Sequence, residues 1–135
     1  MRVFVDTNVI ISSILFPNGK VSYVFSHIME THDLLISSYS IKECENVFNR
    51  KFPAKMEQLQ NFFNEIQYQL IETPLIFDKR KYPSIRDNND LPILVSAIIS
   101  DSDILITGDR DFSELILKKP LIFTPNQYFD LIEKD

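Results

Sequence analysis

Short apolar runs alternate with stretches in which apolar residues recur every three or four positions, and this alternation sets the expected elements. Val3-Phe4-Val5, after Arg2, is a β-branched and aromatic run that stops at Asp6-Thr7-Asn8, polar residues that end a strand and offer a helix cap. A helix is expected over residues 9–16, broken by Pro17-Asn18-Gly19. A second is expected over 21–31, where Val21, Val24, Phe25, Ile28 and Met29 recur at helical spacing. Leu34-Leu35-Ile36 reads as a buried strand. Ser40 followed three residues later by Glu43 has the form of a capping box opening a helix up to residue 51. Met56, Leu59, Phe62, Phe63, Ile66 and Leu70 trace the apolar stripe of another helix, and a weak strand over 70–72 precedes the basic loop Lys79-Arg80-Lys81. Asp87-Asn88-Asn89-Asp90-Leu91-Pro92 starts a helix that Ile93, Leu94, Ala97 and Ile98 continue. Ile104-Leu105-Ile106-Thr107 is a further strand. A short helix over 113–117, a strand over 121–124 and a helix from Pro125 complete the pattern.

Strands alternating with helices imply an α/β protein, with a central, mostly parallel sheet of four or five strands covered on both faces. With 135 residues and no internal repeat, the whole chain, 1–135, is expected to form a single domain. Hydrophobic residues make up 44% and charged residues 24%, the balance of a globular rather than a disordered chain. No apolar run reaches the roughly 18 residues of a membrane span, and the start lacks the apolar stretch and cleavage site of a signal peptide. The single Cys44 excludes an intramolecular disulfide framework and reads as a small buried hydrophobe. A cytoplasmic protein with no membrane association is the expectation. His27 and His32 lie five apart, off the spacing of metal ligands on a helix, and no Cys motif accompanies them.

Charge changes the picture more than composition does. The net charge of −5 argues against a protein that coats nucleic acid through Lys and Arg alone. Residues 1–86 carry ten Lys/Arg and nine Asp/Glu, whereas residues 87–135 carry four and ten, so the acidity belongs to the C-terminal third. In a parallel α/β sheet, ligands bind beyond the carboxyl ends of the strands. Asp6 and Asp109 each follow a strand directly. Glu43 and Asp90 lie near the N-termini of crossover helices, which sit at that same edge. Four carboxylates distant in sequence are thereby expected on one rim, with Asp87 and Asp111 close behind. Each has a local explanation as a cap or turn residue, but crowded together they repel, and they persist as carboxylates mainly when a cation neutralises them.

All-oxygen ligands without a His or Cys cluster point to Mg²⁺ or Mn²⁺ rather than Zn²⁺. One or two such ions suit phosphodiester hydrolysis, because they activate water and stabilise the departing oxygen without a protein nucleophile. The chain has no Gly-x-Ser-x-Gly, no Cys/His dyad and no phosphate-binding glycine loop, having only 2 glycines. Lys79, Arg80, Lys81 and Arg86, with Arg50, Lys51 and Lys55, are the candidates for holding a nucleic-acid backbone beside the acids. Ordinary solubility accounts for them equally well.

Val3-Phe4-Val5-Asp6-Thr7-Asn8-Val9, Glu43 early in a helix, Asp90 opening a helix, and Ile106-Thr107-Gly108-Asp109-Arg110-Asp111-Phe112 together resemble the PIN domain. The resemblance is closest to the branch that supplies toxin components of bacterial toxin-antitoxin systems, and it runs in order from Arg2 to Phe129. It implies an α/β/α sandwich and a metal-dependent endoribonuclease acting on single-stranded RNA. It carries the acidic site over to Asp6, Glu43, Asp90 and Asp109. Asp6 would be the central ligand, Asp90 and Asp109 would complete the metal shell, and Glu43 would contact metal or orient water. Asn8 and Thr107 would be supporting polar residues and Asp111 an outer acid. A cognate antitoxin and a homodimer are further implications. The family's third acid often sits in an Asp-rich run containing a proline. Here Asp87 and Asp90 both qualify, and nearness to the apolar helix favours Asp90.

Two other readings compete. A non-catalytic PIN-like module would bind RNA or a protein through the same surface. A phosphoacceptor receiver domain would need an acidic pair at the first strand and a Lys just after the last. Here Asp6 stands alone, and Thr124 is followed by Pro125.

Overall fold

Five strands are assigned in the computed structural model, which describes residues 1–134: β1 (Arg2–Val5), β2 (Asp33–Ser37), β3 (Gln69–Ile71), β4 (Ile104–Ile106) and β5 (Leu121–Phe123). They form one sheet in the order β3-β2-β1-β4-β5, with every neighbouring pair parallel. Seven helices accompany them: α1 (Thr7–Leu15), α2 (Lys20–Thr31), α3 (Ser38–Lys51), α4 (Met56–Glu65), α5 (Leu91–Ile99), α6 (Arg110–Ser113) and α7 (Pro125–Lys134).

The continuous apolar runs of β1, β2 and β4 follow from burial on both faces of a parallel sheet. Side chains alternate across it. Val3, Val5, Leu34, Ile36, Ile104 and Ile106 pack with Ile10 of α1, Phe25 and Ile28 of α2, Phe48 of α3, Leu59 of α4 and Tyr128 of α7. Phe4, Leu35 and Leu105 point the other way, onto Leu91, Leu94 and Val95 of α5 and Phe112 of α6. The result is the α/β/α sandwich, with five strands. No single helix among the described residues is long and apolar enough to cross a membrane.

Four element boundaries differ from the sequence expectation, each for a local reason. The cap of α3 is Ser37, whose Oγ accepts the Ser40 N–H at 3.0 Å. A cap needs extended backbone, which Ser37 keeps as the last residue of β2 (ψ 151°), while Ser40 is already inside the helix. No capping box forms, and the Glu43 carboxylate is released for other partners. Helix α1 begins at Thr7 because Asp6 caps it directly. Helix α6 spans Arg110–Ser113, ahead of the expected 113–117, because Asp109 accepts the Asp111 N–H. Helix α4 stops at Glu65, where Ile66 turns extended so that Gln69–Ile71 can join β2.

From β1 the chain builds outward through β2 to β3, then returns to lay β4 on the other side of β1. The direction of winding therefore reverses between β1 and β4. That reversal opens a crevice at their carboxyl ends, the ordinary place for a ligand in an open parallel sheet.

Candidate metal centre

Strands β1 and β4 end side by side, Val5 opposite Ile106, and the Asp6 N–H still donates to the Ile106 carbonyl at 3.0 Å. Asp6 is 6% exposed. It accepts the Thr7 N–H at 2.6 Å on Oδ1 and the Thr107 hydroxyl at 2.8 Å on Oδ2. Thr107 Oγ1 in turn accepts the Asp109 N–H at 3.0 Å. One buried hydroxyl thus ties together the two acids that leave the central strands.

Glu43 arrives from α3. The Thr7 hydroxyl donates to Glu43 Oε1 at 2.6 Å and lies 3.0 Å from Ser40 Oγ, which is itself 3.0 Å from Ser37 Oγ. Thr7 has one hydroxyl proton and the carboxylate has none, so the proton belongs to the Glu43 bond and Ser40 donates towards Thr7.

Asp90 ends a 3₁₀ turn (Asn88–Asp90) that Asp87 caps by accepting the Asn89 N–H at 2.9 Å. Asp87 is exposed and engaged with its own turn, whereas Asp90 faces the crevice. Asp90, Asp109 and Asp111 each offer an oxygen within 4.8 Å of the others. Asp90 Oδ2 is buried with no hydrogen-bond partner, alone in this respect among the described side chains. Burial, then the adjoining Asp109 carboxyl and the charges of Asp109, Asp87 and Asp6, push Asp90 up to about 7. Burial likewise pushes Asp6 up to about 6, against the hydrogen bonds from Thr107 and Thr7, with Glu43 and Asp109 adding repulsion. A buried acceptor without a donor, among carboxylates that repel, fits a hard divalent cation; the donor set is entirely oxygen. Asp90, Asp109 and Asp111 lie near enough together to share one, and the Asp6 carboxylate stands beside them.

The other residues singled out from sequence, Asp111 apart, scatter more widely. Asn8 is exposed, and no hydrogen bond from its side chain to a carboxylate occurs among the described residues. Asp111 stands in the tight group with Asp90 and Asp109, and Arg86 Nε approaches its Oδ1 to 3.9 Å. Lys79, Arg80 and Lys81 form an exposed 3₁₀ turn in which Arg80 pairs with Asp78 at 3.1 Å. Arg50 and Lys51 lie in the last turn of α3, with Lys55 beyond. At about 1.5 Å per residue, Arg50 is roughly 10 Å further along the helix than Glu43, away from the sheet's carboxyl edge. Cys44 is fully buried, and burial, with Glu43 and Asp6 nearby, pushes its thiol up to about 12, which keeps it unreactive. Thr7 and Ser40 were not expected in the site. The signal for Thr7 was its place directly after Asp6, but its partner Glu43 lies 36 positions away and only the tertiary fold joins them.

Fold and site together define an α/β/α protein with a carboxylate cluster able to hold a divalent cation at the reversal point of its sheet. The chain belongs to the PIN domain family, whose model matches residues 2–111. PIN domains are generally nucleases. Among solved structures, the chain is similar to a chain in the crystal structure of VapBC2 from Rickettsia felis bound to a DNA fragment from their promoter. The TM-score is 0.69 at 16% identity, over 92% of this chain and 98% of that one. A comparison with curated proteins finds no match.

Proposed function

We propose that this chain is a Mg²⁺- or Mn²⁺-dependent endoribonuclease, a single domain that hydrolyses phosphodiester bonds of single-stranded RNA in the cytoplasm. The observation that carries this reading is the buried, partnerless Asp90 Oδ2 within reach of Asp109 and Asp111 and beside Asp6. One or two ions held there would supply an activated water and neutralise the non-bridging phosphate oxygens. Asp6, held by Thr7 and Thr107, and Asp109, whose Oδ1 accepts the Asp111 N–H, keep fixed orientations for a ligand. Glu43 has Oε1 committed to Thr7, which leaves Oε2 to orient a water and accept its proton. We further propose that the protein is the toxin of a toxin-antitoxin pair, forms a homodimer and is restrained by a cognate antitoxin protein. Likeness in fold to a chain of the VapBC2 complex supports the antitoxin partner.

The test is a metal titration of RNA cleavage by the wild type and by Asp6→Asn. Cleavage that rises with Mg²⁺ or Mn²⁺, stops on chelation and is lost in Asp6→Asn is expected. Equal activity in the two proteins, or none in the wild type across a broad set of RNAs, would remove the catalytic reading.

A further inference from the structure

A groove of about 570 Å³ opens beside Glu43, within the size range of small-ligand sites. One wall is a face of α3. Tyr39, Lys42, Glu43 and Asn46 stand at helical positions i, i+3, i+4 and i+7 and so share one side of the helix, while Ser40, Cys44 and Phe48 are buried in the core. That open side carries an aromatic ring, an ammonium group, a carboxylate and an amide in place of the aliphatic residues a packed face would show. The opposite wall is the segment after β3, with Phe77 braced edge-on by Tyr82 at 5.9 Å between ring centroids.

The groove is continuous with the carboxylate cluster. Glu43 belongs to both, and the Tyr39 hydroxyl donates to the carbonyl of Asn89, next to Asp90, at 3.2 Å. Tyr39 also feels the charges of Glu43, Asp90, Asp87 and Asp6, which together with burial raise its hydroxyl pKa. Lys42 is exposed and enters no ion pair among the described residues, although Glu43 is its neighbour in the chain. An uncharged planar base attached to a phosphate meets the partly buried rings of Tyr39 and Phe77, the Asn46 amide and the Lys42 cation, all of which line the groove.

We propose that the groove is a nucleobase subsite. It receives one unpaired base of the RNA flanking the phosphate at the carboxylate cluster, stacks it on Tyr39 and Phe77, and sets Lys42 against the adjoining phosphate. Asn46 offers both a donor and an acceptor to the base edge. Ring faces joined to a cation are the ordinary means of holding a single strand, and a duplex presents no free base face to such a groove. This inference rests on the ribonuclease reading.

Binding is measured in the Asp6→Asn background, where the RNA stays intact whichever way the cleavage question falls. The probe is a short fluorescent single-stranded RNA in Mg²⁺, followed by anisotropy. Tyr39→Ala and Phe77→Ala each weaken binding about tenfold, the effect of losing one base stack, while Tyr39→Phe keeps the ring and the affinity. Lys42→Met lowers the slope of log affinity against log salt by about one. With Asp6 restored, the same alanine substitutions raise KM for cleavage. Unchanged affinity in Tyr39→Ala and Phe77→Ala, both folded by circular dichroism, would overturn the subsite and leave the groove to a protein partner. Loss of binding in these variants alongside a wild type that cleaves no RNA would keep the subsite and remove the ribonuclease reading.

Discussion

The Thr7 hydroxyl lies 2.6 Å from Glu43 Oε1 while the amide of the same residue lies 2.6 Å from Asp6 Oδ1, so one side chain and its own backbone orient carboxylates delivered by β1 and α3. Thr7→Val removes the hydroxyl at nearly constant shape and leaves the amide bond to Asp6 in place. RNA cleavage should then fall by about 10- to 100-fold in kcat, the usual effect of losing an orienting partner, with KM nearly unchanged. Thr7→Ser should retain most of the activity. Steady-state kinetics on the three proteins, beside metal-binding calorimetry, separates the two parameters, and an unaltered kcat in Thr7→Val would remove the positioning role.

Thr107 connects the other pair, donating to Asp6 Oδ2 at 2.8 Å and accepting the Asp109 N–H at 3.0 Å. Thr107→Val should weaken Mg²⁺ or Mn²⁺ binding by about 10- to 100-fold, because the Asp6 carboxylate loses a donor and the Asp109 backbone amide loses its acceptor. Titration calorimetry reads this directly. Affinity equal to wild type would mean that backbone geometry alone sets the acids.

The metal-free protein should grow less stable as pH rises across the acidic range. Asp6 and Asp90 titrate at about 6 and about 7 in the fold against an ordinary 3.8, so the fold favours their protonated forms. The stability they contribute is complete below pH 3.8 and is lost as pH climbs through those raised values. Asp6→Asn removes the Asp6 share. In EDTA at neutral pH it should be more stable than wild type, by at most about 3 kcal/mol, and the difference should vanish towards pH 4. Thermal melts across this range provide the check. An Asp6→Asn protein less stable than wild type at neutral pH would show that capping of α1 by the carboxylate outweighs the cost of burying its charge.

Added Mg²⁺ should reverse that loss. A cation that binds only the folded chain stabilises it by about 2.7 kcal/mol at a hundred times its Kd. The upward shift in Tm should shrink below pH 7, as protons compete for Asp90, and should be strongly reduced in Asp90→Asn. An equal Mg²⁺ shift in Asp90→Asn would place the ion elsewhere.

Much of this was readable before any coordinates. Strands such as Val3-Phe4-Val5 and Ile104-Leu105-Ile106 declare themselves because burial on both faces demands an unbroken apolar run. Asp6 and Asp109 follow, since a residue just after a central strand must lie at its carboxyl edge. Ser40 and Glu43 show where local pattern misleads. Their spacing imitates a capping box, but Ser37 holds the extended backbone that a cap requires, and Glu43 turns to Thr7 instead. Asp111 was expected close behind the four acids, and only its place within the tight group with Asp90 and Asp109 was hidden. Its position depends on α6 starting at Arg110, a matter of one cap. The strand order was equally invisible, because it is a relation between segments up to a hundred residues apart.

That strand order bears on the biosynthesis of the protein. Asp6 and Glu43 emerge early, but the strand that pairs with β1 on its other side, and the acids at its end, are made only after α5. A ribosome-bound chain that stops short of Asp109 has half a set of ligands on an open sheet edge. Such a chain would lack Asp109 and Asp111, two of the three acids whose oxygens converge. The carboxylate cluster would be complete only once β4 has entered beside β1, so the topology ties assembly of the site to a nearly finished molecule.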